Sequence, residues 1–280
     1  MRWTRATPLP RIASFTALLL ASAMCMSGGL ACRRERSDPA PGSARLVVFA
    51  ASSLRDVFTE LGGEFRRQSP GVELVFNFAG TQELRTQLEH GAAADVFAAA
   101  DRRHMQALAD RGGVERPVVF ARNEPVLIVS REAAAAARVP DFWSLAEAER
   151  IALGATEVPI GRYTNELLAR AQSVRGGAFR NRVEAKVVSR ELNVRQVLTK
   201  VRLGEAEAGI VYRTDARGVT DVTQVEIPPE VNVLAEYPIA VVRHAASPAL
   251  AQAFVDVVRS REGREALERA GFTLPPDEVR

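Results

Sequence analysis

Apolar runs of strand length alternate with amphipathic helical patterns along most of this chain, and this alternation restricts the fold more than any other feature. The first run, 46–50, ends at a Ser-Ser pair, and a helical pattern of apolar residues begins at Leu54. The second run, 72–78, ends at a Gly-Thr pair and is again followed by a helical pattern. Strands that alternate with helices form α/β sheets, in which ligands bind beyond the carboxyl ends of the strands. The sequence therefore predicts an α/β fold with its site where strands end and helices begin.

The alternation resumes in the middle of the chain, which indicates a second α/β lobe. We assign residues 44–122 and 239–280 to the first lobe and residues 123–238 to the second. The segments 126–129 and 237–242 are predicted to be strands and to serve as the two crossings between lobes. The other predicted elements are strands at 94–98, 151–154, 183–188 and 208–212 and helices at 104–109, 164–174, 194–203 and 248–270. With 280 residues and 47% hydrophobic composition, the chain is long enough for two such lobes.

The first 31 residues have the composition of an export signal. Residues 1–11 contain three arginines and no acidic residue. The uncharged stretch 12–31 follows and is centred on three leucines. A basic region followed by an apolar one is typical of a secretory signal. An uncleaved membrane anchor is the alternative, because about 20 apolar residues can span a bilayer. The small residues around Gly28 favour cleavage, and we therefore expect an exported protein.

The residues around Cys32 predict how the signal is processed. Gly-Leu-Ala-Cys at 29–32 resembles a lipobox, where bacterial lipoproteins are cleaved before a cysteine that receives lipid. Simple cleavage after Ala31 is the alternative. Residues 32–43 are charged and then rich in Pro, Gly, Ser and Ala, as in a flexible tether. The other cysteine, Cys25, lies inside the signal, so we expect no disulfide in the mature fold. The sequence thus predicts a protein of the periplasm or a lipid-anchored protein of the cell envelope.

The net charge of +3 does not indicate a nucleic-acid partner. Three of the 37 basic residues belong to the signal, which leaves 34 basic residues against 34 acidic ones. A formally neutral mature protein without a basic aromatic cluster is not expected to bind nucleic acid.

Catalytic and metal sites are poorly supported. His90, His104 and His244 are each expected to be surface or capping residues, since none accompanies a nucleophile elbow. The sequence contains no cysteine cluster and no metal-binding helix motif. A serine hydrolase using Ser53 stays a remote alternative, and we expect no enzymatic activity.

Several predicted helix starts carry small hydroxyl residues or free backbone N–H groups. These starts are at 52–53, 80–81, 160–161 and 193–194. A helix N-terminus has unpaired N–H groups and a partial positive charge, so several that converge can bind an anion. Ordinary N-capping explains each start taken alone. Their combination is what favours an anion site.

Six ordered segments carry a family resemblance: VFAASSL at 48–54, FAGTQELRTQLEHGAAADVFAAAD at 78–101, VPIGRY at 158–163, NVRQVL at 193–198, GEAEAGIVYRTDA at 204–216 and EYPIAVV at 236–242. Together they resemble the periplasmic molybdate-binding proteins of ABC importers, which have the type II periplasmic-binding-protein fold. This resemblance implies two α/β lobes with mixed sheets, flanking helices and the ligand in the cleft between the lobes.

The resemblance also implies a set of ligand-binding residues. Hydroxyls of Ser53, Thr81 and Tyr212 match the family's hydroxyl ligands, and the backbone N–H groups of Ser53, Thr81, Ile160 and Val194 match its backbone ligands. Thr81 stands where the family usually has Ser, and Ile160 where Ala is common. We expect the Thr81 methyl group to narrow the pocket and the Ile160 side chain to point away from it.

The chemistry of these groups suits molybdate or tungstate, which are fully deprotonated dianions that only accept hydrogen bonds. Arg162 and Arg195 are not expected to touch the ligand, because their family counterparts do not. The resemblance implies a membrane permease as partner, no cofactor and a monomer. Two alternatives stay open: a receptor for another tetrahedral oxyanion such as sulfate, and an interaction module that has lost its ligand.

Overall fold

Two five-stranded mixed sheets organise the part of the chain that the computed structural model describes, residues 44–276. The predicted signal, Cys32 and the tether therefore lie outside the described residues. In the first sheet the order is β2-β1-β3-β10-β4. The three leading strands are parallel, and β10 pairs antiparallel with β3 and β4. The strands are β1 (Arg45–Ala51), β2 (Glu73–Ala79), β3 (Val96–Ala98), β4 (Val114–Asn123) and β10 (Ala235–Val242).

The second sheet is built from the middle of the chain, in the order β7-β6-β8-β5-β9. Strand β6 is parallel to β7 and β8, whereas β5 is antiparallel to β8 and β9. The strands are β5 (Pro125–Ser130), β6 (Ile151–Gly154), β7 (Val187–Glu191), β8 (Ala208–Tyr212) and β9 (Val222–Val225). The two-lobed α/β fold that the sequence predicts is confirmed.

Helices cover both sheets. Around the first sheet lie α1 (Arg55–Gln68), α2 (Thr81–Glu89), α3 (Arg102–Ala109), α9 (Pro248–Arg259) and α10 (Arg261–Arg269). Around the second lie α4 (Arg131–Ala135), α5 (Pro159–Arg175), α6 (Gly177–Ala185), α7 (Val194–Arg202) and α8 (Arg213–Ala216), with 3₁₀ turns at Ser52–Leu54 and Phe142–Glu147. Within residues 44–276, no helix is long and apolar enough to cross a membrane.

Aromatic packing fixes α1 against the first sheet and the C-terminal helices. Phe254 of α9 lies edge-on to Phe58 and Phe65 of α1, with ring centroids 5.7 Å and 5.6 Å apart. All three rings are fully buried. Their burial holds the start of α1, and with it the turn that follows β1, in a fixed position beneath the site.

The crossings between the sheets differ from the prediction. Strands β5 and β10 each lie wholly in one sheet, so neither is a crossing. Only Glu124 separates β4 from β5, and the return crossing runs between β9 and β10. Residues 235–238, assigned from sequence to the second lobe, pair in the first sheet, as does Asn123.

Two local predictions were wrong. The strand predicted at 183–188 begins only at Val187, because Val183 and Phe179 are buried on one face of α6. The single helix predicted at 248–270 is interrupted at Ser260. The Ser260 hydroxyl accepts a hydrogen bond from Gly263 N–H at 3.0 Å and thereby caps a new helix, α10.

Candidate functional site

A small cavity lies between the two sheets, where β1, β2 and β8 end and α5 and α7 begin. The empty space inside it is small, about 10 Å³ for the centre of a water-sized sphere, and suits one compact ion. The lining residues are Ala51, Ser52, Ser53, Ala79, Gly80, Thr81, Ala100, Val158, Pro159, Ile160, Asn193, Val194 and Tyr212. All five site residues predicted from sequence are in this set.

Ser53 lies in the 3₁₀ turn that joins β1 to α1 and is 4% exposed. The Ser53 Oγ lies 3.0 Å from the hydroxyl of Tyr237, which belongs to β10. The neighbouring Ser52 also lines the cavity and is nearly as buried. The turn thus brings a buried hydroxyl to the cavity wall with a second hydroxyl behind it.

Thr81 is the first residue of α2 and is 1% exposed. Its hydroxyl oxygen accepts a hydrogen bond from Ala100 N–H at 3.1 Å, so the hydroxyl hydrogen remains to be donated elsewhere. Gly80 precedes it in extended backbone, and a Cβ there would lie 2.3 Å from the Leu192 carbonyl oxygen in the second lobe. Only glycine therefore lets the two lobes approach this closely at the cavity mouth.

Tyr212 ends β8 and is almost completely buried. Within residues 44–276, its hydroxyl oxygen has no hydrogen-bond partner. Burial raises the pKa of Tyr212 well above its ordinary value, so this hydroxyl stays neutral and keeps its hydrogen. A buried hydroxyl without a partner costs about 1–3 kcal/mol. Such a group at a cavity wall indicates a ligand that is to be bound there.

The other two predicted positions lie in the first turns of helices that point at the cavity. Ile160 is in the first turn of α5, and Val194 begins α7. The first four N–H groups of an α-helix have no partner within the helix. Asn193 also caps α7, because its Oδ1 accepts a hydrogen bond from Gln196 N–H at 3.1 Å. The capping interpretation and the anion-site interpretation therefore both describe this helix start.

Gly154 accommodates the larger side chain at Ile160. A Cβ at Gly154 would lie 2.7 Å from Ile160 Cγ2, so the Ile160 side chain packs where Gly154 has none. Ile160 is 1% exposed. The difference between Ile and the family's Ala is thus taken up in the protein core.

Arg162 and Arg195 form ion pairs between the lobes. The Arg162 Nε lies 3.3 Å from Oδ2 of the fully buried Asp101. Arg195 pairs with Asp56 of α1 at 2.6 Å and with the buried Asp215 at 2.5 Å. Neither arginine lines the cavity. Two lobe-to-lobe ion pairs beside the cavity describe a closed arrangement of the lobes.

His104 is not the surface or capping residue that the sequence predicts. It is 5% exposed, and its Nε2 lies 2.8 Å from the Glu157 carbonyl oxygen in the second lobe. Glu157 is 53 positions away from His104 in the sequence, and no local sequence pattern indicates this contact. His90, by contrast, lies at the end of α2 as predicted, with Nδ1 2.7 Å from Thr86 O.

Sequence reasoning also missed Tyr237. Its segment was recognised, but an aromatic residue in a strand ordinarily indicates core packing. Tyr237 is fully buried, and its ring lies edge-on to Tyr212 with centroids 5.7 Å apart.

Within the described residues, no group of three or more His, Cys, Asp or Glu side chains could hold a metal ion. The polar residues that line the cavity are the hydroxyl residues Ser52, Ser53, Thr81 and Tyr212 and the amide residue Asn193.

Two α/β lobes that enclose a small cavity of hydrogen-bond donors are the architecture of a solute receptor. The bacterial extracellular solute-binding protein family matches residues 46–273, and the chain belongs to this family.

Its relatives include the molybdate-binding protein ModA of Mycobacterium tuberculosis, which is 39% identical over 267 residues, 91% of this chain and 97% of the relative. Among solved structures, the periplasmic molybdate-binding protein of Azotobacter vinelandii has a TM-score of 0.69 at 18% identity and covers 82% of this chain and 99% of its own. The sulfate-binding protein SubI of Mycobacterium tuberculosis has a TM-score of 0.73 at 16% identity, covering 84% and 88%. At such identities the structural likeness shows the fold alone.

Proposed function

We propose that this protein is an exported receptor that captures molybdate or tungstate and delivers it to the membrane permease of an ABC importer. The name of the 39% identical relative supports the choice of ligand. The observation that carries the proposal is the buried Tyr212 hydroxyl, which has no hydrogen-bond partner among residues 44–276 and lines the same cavity as Ser53 and Thr81.

The proposed ligand set consists of the hydroxyls of Ser53, Thr81 and Tyr212 and the backbone N–H groups of Ser53, Thr81, Ile160 and Val194. Hydrogen bonds to charged groups contribute about 1.5–3 kcal/mol each. About seven of them can offset the desolvation of a dianion and leave the ~8 kcal/mol that micromolar affinity needs. The helix dipoles of α5 and α7 add a positive potential without any cationic ligand. No cofactor is required.

Capture is proposed to proceed by closure of the lobes around the anion. Ser53 and Thr81 belong to the first lobe, and Ile160, Val194 and Tyr212 to the second, so neither lobe alone surrounds the ligand. The crossings at Glu124 and between β9 and β10 are the positions about which the lobes would move. The permease would then recognise the closed form, which the bound anion stabilises further beyond the ion pairs between the lobes.

We further propose that the mature protein acts as a monomer outside the cytoplasm and is held at a membrane by lipid on Cys32. The lipobox-like residues 29–32 support the anchor, and the family to which the chain belongs supports export. Nucleic acid is not a proposed partner.

A serine hydrolase is disfavoured by the surroundings of Ser53. The hydroxyl beside it belongs to Tyr237, whose pKa burial raises well above its ordinary value, so Tyr237 is not a base at neutral pH. His104 contacts the Glu157 carbonyl through Nε2 and does not line the cavity beside Ser53. The relatives are binding proteins, and we propose that this protein has no catalytic activity.

Calorimetric titration of the chain from residue 44 onward tests the proposal. Molybdate and tungstate are expected to bind with a Kd of about 1 µM or below, whereas sulfate and phosphate bind far more weakly. The Ser53→Ala/Tyr212→Phe double variant should lose molybdate binding. Binding of sulfate without molybdate heat would favour a sulfate receptor. An unchanged double variant would favour a module that has lost its ligand.

A further inference from the structure

The hydroxyl of Tyr237 lies directly behind Ser53, on the side away from the cavity. The two hydroxyl oxygens are 3.0 Å apart, although the residues are 184 positions apart in the sequence. Tyr237 is fully buried and does not line the cavity. Because Ser53 is a proposed ligand residue, its contact with Tyr237 can decide the direction in which the single hydrogen of the Ser53 hydroxyl points.

The contact alone leaves the direction of this hydrogen bond open, because either hydroxyl can donate. Burial raises the pKa of Tyr237 well above its ordinary value, so the Tyr237 hydroxyl keeps its hydrogen at neutral pH and can donate it to Ser53 Oγ. What Ser53 does with its own hydrogen therefore decides the direction.

The proposed ligand decides the direction of the Ser53–Tyr237 hydrogen bond. Molybdate has no hydrogen to give, so a Ser53 hydroxyl that contacts it must donate. Ser53 has one hydrogen, and its oxygen is then free to accept from Tyr237. Thr81 shows the same arrangement, because its oxygen accepts from Ala100 N–H. In both cases the oxygen of the hydroxyl is already used as an acceptor.

We infer that Tyr237 is a positioning residue which fixes the Ser53 hydroxyl as a donor and thereby favours fully deprotonated oxyanions over protonated ones. This inference rests on the proposed function. A hydrogen phosphate ion must donate its own hydrogen to some acceptor in the site. With the Ser53 oxygen occupied by Tyr237, that hydrogen loses an acceptor, which is costly in a buried cavity.

The Tyr237→Phe variant removes the hydroxyl and retains the ring. The ring packs edge-on against Tyr212 and against Phe272, with centroids 5.7 Å and 5.4 Å apart, and Phe keeps both contacts. Molybdate affinity is expected to fall about 3- to 10-fold, the effect of one hydrogen bond. Inorganic phosphate, measured by competition near neutral pH, should lose less affinity or gain some. Sulfate, a tetrahedral ion without a proton, should follow molybdate.

Two readouts separate positioning from a general structural role. The first is the ratio of sulfate to phosphate affinity, which should fall about 3- to 10-fold in Tyr237→Phe. The second is a double-mutant cycle with Ser53→Ala. If Tyr237 acts through Ser53, the Ser53→Ala/Tyr237→Phe variant binds molybdate about as well as Ser53→Ala alone.

Tyr163→Phe is the matched control. The Tyr163 hydroxyl is largely buried and accepts a hydrogen bond from Glu236 N–H at 3.4 Å, but it does not line the cavity. Any loss from this variant should fall equally on all anions and add to the loss from Ser53→Ala.

The outcomes divide clearly. An additive cycle, or an unchanged sulfate-to-phosphate ratio, would overturn the inference while wild-type molybdate binding still upheld the proposed function. If the wild type does not bind molybdate, the proposed function itself is contradicted. If Tyr237→Phe folds poorly, the selectivity is tested on the wild type, where phosphate should compete better with molybdate as rising pH removes its hydrogens, while competition by sulfate stays unchanged. Competition by phosphate that does not strengthen with pH would overturn the inference.

Discussion

Replacing Tyr212 by Phe should weaken ligand binding without weakening the fold. In the structure the Tyr212 hydroxyl is buried and has no partner within residues 44–276. Removing it therefore deletes no hydrogen bond from the ligand-free protein. A hydrogen bond to a charged ligand contributes about 1.5–3 kcal/mol, so its loss should raise the Kd for molybdate about 10- to 150-fold.

The stability of the ligand-free variant is the second half of this prediction. An unpaired buried hydroxyl costs about 1–3 kcal/mol, and each kcal/mol corresponds to about 2–4 °C in Tm for a protein of this size. The Tm of ligand-free Tyr212→Phe should therefore equal or exceed that of the wild type. Tyr163→Phe, which loses the hydrogen bond from Glu236 N–H, should show the opposite effect on Tm.

Calorimetric titration and scanning calorimetry on the same samples measure both quantities. A lowered Tm together with lowered affinity would mean that the hydroxyl is structural. An unchanged affinity would mean that it does not contact the ligand. Either result would refute the reasoning from the unpaired hydroxyl.

Three further predictions concern the closure of the lobes, a buried carboxylate and the hydroxyl of Thr81. Gly80→Ala should weaken anion binding at least about 10-fold, because its Cβ would lie 2.3 Å from the Leu192 carbonyl oxygen and oppose closure, whereas Gly63→Ala has open space and should bind normally in the same titration. Burial raises the pKa of Asp215 to about 6, although the neighbouring Arg195 acts to lower it. Because the folded protein holds this proton more tightly than the unfolded chain does, Asp215 stabilises the fold fully below pH 3.8, and this stabilisation is lost as the pH rises through about 6. Denaturant unfolding should then show the wild type gaining about 1 kcal/mol relative to Asp215→Asn between about pH 7 and pH 5; a pH-independent difference would contradict this. Thr81→Ser keeps the hydroxyl and should bind molybdate within about 3-fold of wild type, while Thr81→Ala should lose about 10-fold or more, and equal losses would exclude the hydroxyl as a ligand.

The sequence predicts the sheets and the cavity well because the strands are short apolar runs bounded by small residues. Strands β6 and β8 have the predicted bounds, and β1 and β2 differ from prediction by one residue at either end. The cavity forms where these strands end. Local patterns therefore indicate four of the five predicted site positions, which lie at helix starts, whereas Tyr212 was assigned from the family resemblance.

Contacts between distant segments could not be predicted in this way. The pairs Ser53–Tyr237 and His104–Glu157 join different elements, and nothing in either local pattern specifies a partner. The α6 region was misassigned because apolar residues four apart also fit a short strand when the surrounding sequence is mixed. The crossings were misplaced because a continuous apolar strand gives no sign of which sheet it joins.

The position of β10 inside the first sheet has a consequence for the order of folding. This strand lies between β3 and β4, yet it is synthesised after the whole second lobe. The first sheet therefore cannot be completed until nearly the entire chain is available, and its closure must pay the entropy of a loop of more than a hundred residues. The second sheet, formed from one continuous stretch, has no such delay. During synthesis the first sheet thus stays incomplete until its last strand emerges.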